Sequence, residues 1–203
     1  TYNGNITHTS TGAASQNVAE TGTASNTSTL TFQYGASGYT GTVDTFLRGT
    51  TEGTTNFNSN TNLEWDDNSG TTTDEIALIR FTDIFSSEGG PIPDGATITS
   101  ASLTYMTTDL NSGSTAYGAP ASVYESLVDW TGSTVTYNNF GGEAGVQADE
   151  YNSILVSAAS ASALSTQYTI NVTASLQRWS NGTANYGWIF LPTATDGVNI
   201  YSS

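Results

Sequence analysis

Short runs of apolar and β-branched residues, each cut off by Gly, Asn, Ser or Asp, recur from one end of this chain to the other. Many short runs with turn signals between them are the mark of an all-β sandwich or barrel. The pattern places strands at 29–34, 42–47, 62–65, 75–81, 97–107, 121–125, 135–137, 154–156, 168–172, 188–191 and 198–201. "DDNSG" at 66–70 and "DLNSGS" at 109–114 carry hairpin-turn chemistry. Ala174-Ser175-Leu176-Gln177-Arg178-Trp179 is the most helix-like segment. It is expected to form one short helical turn over 174–179, packing Leu176 and Trp179 on the sandwich end. At 203 residues the chain is long enough for one β domain with a real core.

The polar surface is nearly neutral chemistry with a strongly acidic balance. Eighteen acids face three bases, Arg48, Arg80 and Arg178, for a net charge of −15. Such a field repels nucleic acid and anionic membrane, so neither is expected as a partner. No apolar run approaches the roughly 18 residues of a membrane span. The absence of cysteine removes disulfides, thiolate metal sites and thiol nucleophiles. The chain begins at Thr1 with no signal peptide and reads as a processed product.

Residues 1–40 differ from the rest. They are low in complexity and poor in large apolar groups until Leu30, a composition that by itself does not support a packed core. The chain therefore divides into an arm, 1–40, and a sandwich domain, 41–203. The arm either adds strands to its own domain or lies on a neighbouring copy. Four Asn-x-Ser/Thr sequons, at Asn5, Asn26, Asn171 and Asn181, are candidate acceptors of covalent glycans in a secreted chain.

Four segments taken in order, "VDTFLRGTTEGTTNFNSNTNLEW" (43–65), "IALIRFTDI…PIPDGATITSASLTYM" (76–106), "VYESLVDWTGSTVTYNNF" (123–140) and "INVTASLQRWSNGTANYGWIFLP" (170–192), together resemble the DNRLRE-type domain. The terminal "VNIYSS" is similar to that family's last strand, and the resemblance spans about 42–203. It implies a secreted, jelly-roll-like antiparallel β-sandwich related to carbohydrate-binding modules and often attached to larger extracellular proteins. Three positions depart from the family pattern: Thr82 and Asn171 where Asp is usual, and Tyr137 where Trp is usual. The change at Asn171 creates a sequon.

Catalysis of hydrolysis or transfer needs an activated nucleophile, a base or a metal. His8 is the only histidine and lies in the arm. Asp66/Asp67, Asp74/Glu75 and Asp149/Glu150 are the candidate carboxylate pairs for glycosidase work. Their neighbouring turn residues fit solvated acids better, so no catalytic residue is assigned. Calcium is the metal this oxygen-rich chain would hold, with Asp66 and Asn68 as candidate ligands, though a plain hairpin turn explains "WDDNSG" equally well. Trp65, Trp130, Tyr137 and Tyr117 are the candidates for stacking on sugar rings. Core packing is the competing role for each, and is the one assigned to Trp179 and Trp188. Arg80 sits within an apolar run, where a charge needs partners.

Two functions follow as expectations. One is a non-catalytic extracellular or cell-surface structural protein, a glycosylated subunit that polymerises with itself through residues 1–35 by strand addition. The alternative is a polysaccharide-binding module of a larger secreted protein.

Overall fold

Two apolar runs, Ile76-Ala77-Leu78-Ile79 and Trp188-Ile189-Phe190-Leu191, are continuous rather than alternating, as befits strands covered on both faces. They are neighbouring strands in the middle of one five-stranded sheet. A computed structural model describes residues 2–8, 16–22, 27–67, 74–108 and 118–203, the first two segments by backbone alone. The strands are β1 (Tyr2–His8), β2 (Gln16–Gly22), β3 (Thr42–Arg48), β4 (Asn62–Trp65), β5 (Glu75–Phe81), β6 (Ser102–Met106), β7 (Ala121–Glu125), β8 (Ser157–Ala159), β9 (Gln167–Asn171), β10 (Trp188–Pro192) and β11 (Val198–Tyr201). One helix, α1, spans Thr173–Ser180.

The fold is an all-β, jelly-roll-like antiparallel sandwich. One sheet has the order β3-β5-β10-β7-β8. In the other, β4 pairs with β11 and β6 with β9, and a bridge between Thr107 and Ile200 joins the two pairs. Phe46, Ile79, Val123, Trp188 and Phe190 from the first sheet meet Leu63, Trp65, Leu103, Tyr105, Ile170 and Ile200 from the second. Strands that line only this core alternate, as in β6, where Leu103 and Tyr105 are buried between exposed neighbours.

The central strands bury their other face too. Leu47, Ile76, Leu78 and Ile189 pack beneath Trp130, Val135 and Phe140 from the loop that follows β7. That cover corrects the strand expected at 135–137. Val135 belongs to no strand and follows a turn at 132–134, its N–H donating to the Thr131 carbonyl at 2.9 Å, and its apolarity serves the outer core. Glu150 locks the same loop by accepting the Gly142 and Gln147 N–H groups at 2.8 Å each. The strand expected at 154–156 falls slightly later, at β8, because the Asn152 carboxamide accepts the Ile154 N–H and turns the chain first.

Residues 1–31 and 32–203 form separate compact units. In the first, β1 and β2 make a two-stranded antiparallel hairpin, with Tyr2 opposite Gly22, Ile6 opposite Val18 and His8 opposite Gln16. The second unit starts earlier than the boundary at position 40 read from composition. Phe32 and Tyr39 meet edge to face at 5.2 Å and pack on the sandwich core, and the Tyr39 hydroxyl donates to the Thr82 carbonyl at 2.8 Å. Residues 29–34, expected as a strand, pair with no strand of the described residues. Of the strand expected at 97–107, only Ser102–Met106 enters a ladder.

Candidate functional site

Helix α1 follows β9 and turns one side of its polar face on residues 96–101, which precede β6. Leu176 and Trp179 bury its apolar side, with Trp179 tilted on Trp188 at 4.8 Å. Arg178 reaches the buried Glu125 carboxylate of β7 in a bidentate pair, its Nε lying 3.1 Å from both oxygens. These contacts fix the helix.

With the helix fixed, its side chains supply backbone partners to that segment. Gln177 Oε1 accepts the Ile98 N–H at 2.9 Å, and Gln177 Nε2 donates to the Ala96 carbonyl at 3.1 Å. Ser180 Oγ also donates to Ala96, and Thr173 Oγ1 accepts the Ala101 N–H at 2.8 Å. One side of residues 96–101 is thereby satisfied without a neighbouring strand. Asn171 and Asn181 flank α1 at its two ends, both exposed. Asn171 Oδ1 accepts the Thr173 N–H at 2.9 Å and Asn181 Oδ1 accepts Gln177 Nε2 at 3.1 Å. The carboxamide oxygens are engaged, while the side chains stand at the surface. Asn5 falls in β1, described by backbone alone, and Asn26 lies outside the described residues.

Two of the four sugar-stacking candidates are core residues, which corrects their assignment. Trp65 is fully buried, stacked on Phe190 at 5.3 Å and edge-on to Tyr105 at 5.7 Å. Trp130 is buried in the outer core with its indole N–H donating to the Tyr186 carbonyl at 2.8 Å. Neither presents a ring face to solvent. Tyr117 lies outside the described residues. Tyr137 is half-buried and lines a cleft of about 280 Å³ with Asp67, Asp74, Gln147 and Leu191. Burial, then the neighbouring Asp74 carboxylate, raises the Tyr137 phenol. Burial, then Asp67, raises the Asp74 carboxyl.

The other two arginines have acidic partners. Arg48 on β3 is ringed by Glu52, Glu64 and Glu75, with contacts of 3.2, 3.0 and 2.7 Å. The shortest is an ion pair without hydrogen-bond alignment. Glu75 is pushed up to about 8, by burial first and then by Glu64 beside it, against the pull of Arg48. Arg80 pairs with Asp129 at 2.7 Å and lies over the Tyr186 ring. Asp66 Oδ1 accepts the Gly197 N–H at 3.2 Å, and burial raises its carboxyl. Asn68, its expected partner in holding calcium, lies outside the described residues. Among the described residues no group of three or more His, Cys, Asp or Glu side chains is arranged to hold a metal ion. Of the carboxylate pairs, Glu150 is committed to its loop. No helix of the described residues is long and apolar enough to cross a membrane.

No family model matches the chain, and no curated protein matches it.

Proposed function

We propose that the protein is a non-catalytic extracellular structural subunit, carrying glycans on its sequons, that polymerises into a fibre or surface filament by adding an N-terminal strand to a neighbouring copy. The observation that carries the reading is the N-terminal unit. Among the described residues its sheet has two strands, and a two-stranded ribbon by itself is at best marginally stable in water. Residues 27–31, which follow it, are exposed, belong to no strand and have no backbone partner among the described residues. A segment written in strand-forming residues and left without a ladder is what strand addition uses. The resemblance to the DNRLRE-type domain supports the extracellular setting, and the exposed Asn171 and Asn181 are compatible with glycans.

The test is negative-stain microscopy with sedimentation of the chain beside a version lacking residues 1–31, which leaves Phe32 on the core. Filaments from the first and folded monomers from the second are expected. Filaments from the truncated chain would remove the arm from the mechanism.

A second reading, a polysaccharide-binding module, has one observation in its favour: the half-buried Tyr137 in a polar cleft. It requires binding to a neutral or acidic polysaccharide that weakens on Tyr137→Ala. A flat response across a broad glycan panel rejects it.

A further inference from the structure

A strand that is to be donated needs an edge that is open to receive it. Strand β6 has such an edge. Its partner on one side is β9, and the Val172 N–H to Ala101 carbonyl and Thr107 N–H to Thr166 carbonyl bonds, both 3.0 Å, fix the parity of that ladder. In an antiparallel pair alternate residues carry the bonds. Leu103 and Tyr105 therefore direct their backbone groups to β9, while Ser102 and Thr104 direct theirs away. On that far side β11 reaches only the end of the strand, at the Thr107 to Ile200 bridge and the Thr108 N–H to Asn199 carbonyl bond.

The open stretch continues backwards from β6. Ala96, Ile98 and Ala101 are bonded on the α1 side through Gln177, Ser180 and Thr173. The backbone groups of Thr97, Thr99 and Ser100 have no partner among the described residues. Among the described residues, 97–104 thus form an edge committed on one side and without a strand on the other. An edge of this kind is a template for another chain unless it is blocked by charge, proline or a bulge. The edge itself carries neither charge nor proline, since the sequence from Gly95 to Thr108 contains no charged residue and no proline.

The charge pattern goes further. All 18 acids fall outside the windows 95–108 and 151–195, which build β6, β8, β9, α1 and β10. Two copies of a chain with net charge −15 repel one another, and they meet with least repulsion where acids are missing. Residues 1–35 contain only one acid, Glu20. Both the strand without a ladder and the edge without a strand are uncharged.

We infer that the acceptor in the filament is the edge over residues 97–104 of the neighbouring copy, and that the strand it receives is Thr27–Thr31. The inference rests on the filament reading and assigns its contact. Five extended residues span about 17 Å, and eight about 26 Å, so the donor fits within the acceptor. Alternation in Ser28-Thr29-Leu30-Thr31-Phe32 puts Leu30 on the same face as Phe32 and the threonines on the other. Main-chain bonds supply the affinity, and Leu30, 47% exposed in the single chain, gains cover.

The test uses two full-length variants. Thr29→Pro/Leu30→Pro removes an N–H from each side of the donor. Thr99→Pro removes an outward N–H from the acceptor, and Ser102→Pro is its replacement should the first not fold; unchanged fluorescence of the buried tryptophans certifies either. The wild-type chain is expected to form filaments, each variant alone to sediment as monomer, and an equimolar mixture to stop at dimers, because only one donor–acceptor pairing is left. A folded edge variant that still polymerises overturns the edge assignment and leaves the filament reading standing. A mixture that stays monomeric overturns pairing between copies. Monomers from the wild-type chain overturn the filament reading and this inference with it.

Discussion

Gln177 holds Ile98 as a neighbouring strand would. Its carboxamide offers an acceptor to the Ile98 N–H at 2.9 Å and a donor to the Ala96 carbonyl at 3.1 Å, the same pair of groups that a peptide unit offers in a ladder. A single side chain on α1 thus substitutes for a strand along one side of residues 96–98.

Gln177→Ala leaves that backbone to water and loosens the acceptor edge. A loss of about 1–2 kcal/mol is expected from two net hydrogen bonds, read by thermal or denaturant unfolding, together with weaker filament formation. Gln177→Glu keeps the acceptor for Ile98 but sets a carboxylate against the Ala96 carbonyl, so it falls short of the wild type in both measurements. An unchanged midpoint in Gln177→Ala would show the clamp to be idle.

Arg178→Met removes the cation facing Glu125, whose side chain is 3% exposed. Breaking a buried pair from one side strands a charge and costs about 3 kcal/mol or more. Arg178→Met/Glu125→Leu is expected to recover much of that loss. A single variant as stable as the wild type would contradict the role given to this pair in fixing α1.

The Glu75 carboxyl, with a folded value of about 8 against 4.5 for the free group, makes stability depend on pH in a defined direction. Between those values the folded chain keeps a proton that the unfolded chain releases, so this contribution is full below about 4.5 and is lost as pH rises to about 8. Glu64, Glu52 and Arg48 surround the group. Melting temperatures from pH 5 to 9 are expected to fall more steeply for the wild type than for Glu75→Gln. Parallel curves would remove Glu75 as the cause.

Glu150→Ala frees the Gly142 and Gln147 N–H groups and unlatches the loop over Leu47, Leu78 and Ile189. Bonds to a charged acceptor contribute about 1.5–3 kcal/mol. Lower stability is expected, with protease cutting concentrated between 141 and 150. Protection of that loop equal to the wild type would contradict its role as a latch.

Strands 62–65, 75–81, 121–125 and 198–201 are legible to the residue, because their apolar runs end at turn residues on both sides. The helix is legible from Leu176, Arg178 and Trp179. The outer core is not: Val135 and Tyr137 have strand-like residues, yet they serve a loop packed on the sheet, and composition does not separate the two. Trp65 and Trp130 are misread for a related reason, since an aromatic beside turn residues looks alike whether it faces sugar or core. The open edge needed three dimensions. Gln177 lies far along the chain from Ile98, and only folding brings its carboxamide to that backbone, although the acid-free windows around β6 and α1 are visible in the sequence.

The central claim is strand addition between copies, and hydrogen exchange tests it directly at the amides of Thr97, Thr99, Ser102 and Thr104. In the monomeric Thr29→Pro/Leu30→Pro chain these outward N–H groups are expected to exchange rapidly. In wild-type filaments those facing the incoming strand are expected to slow by orders of magnitude, together with amides of residues 27–31. Equal exchange at all four positions in monomer and filament would contradict the account.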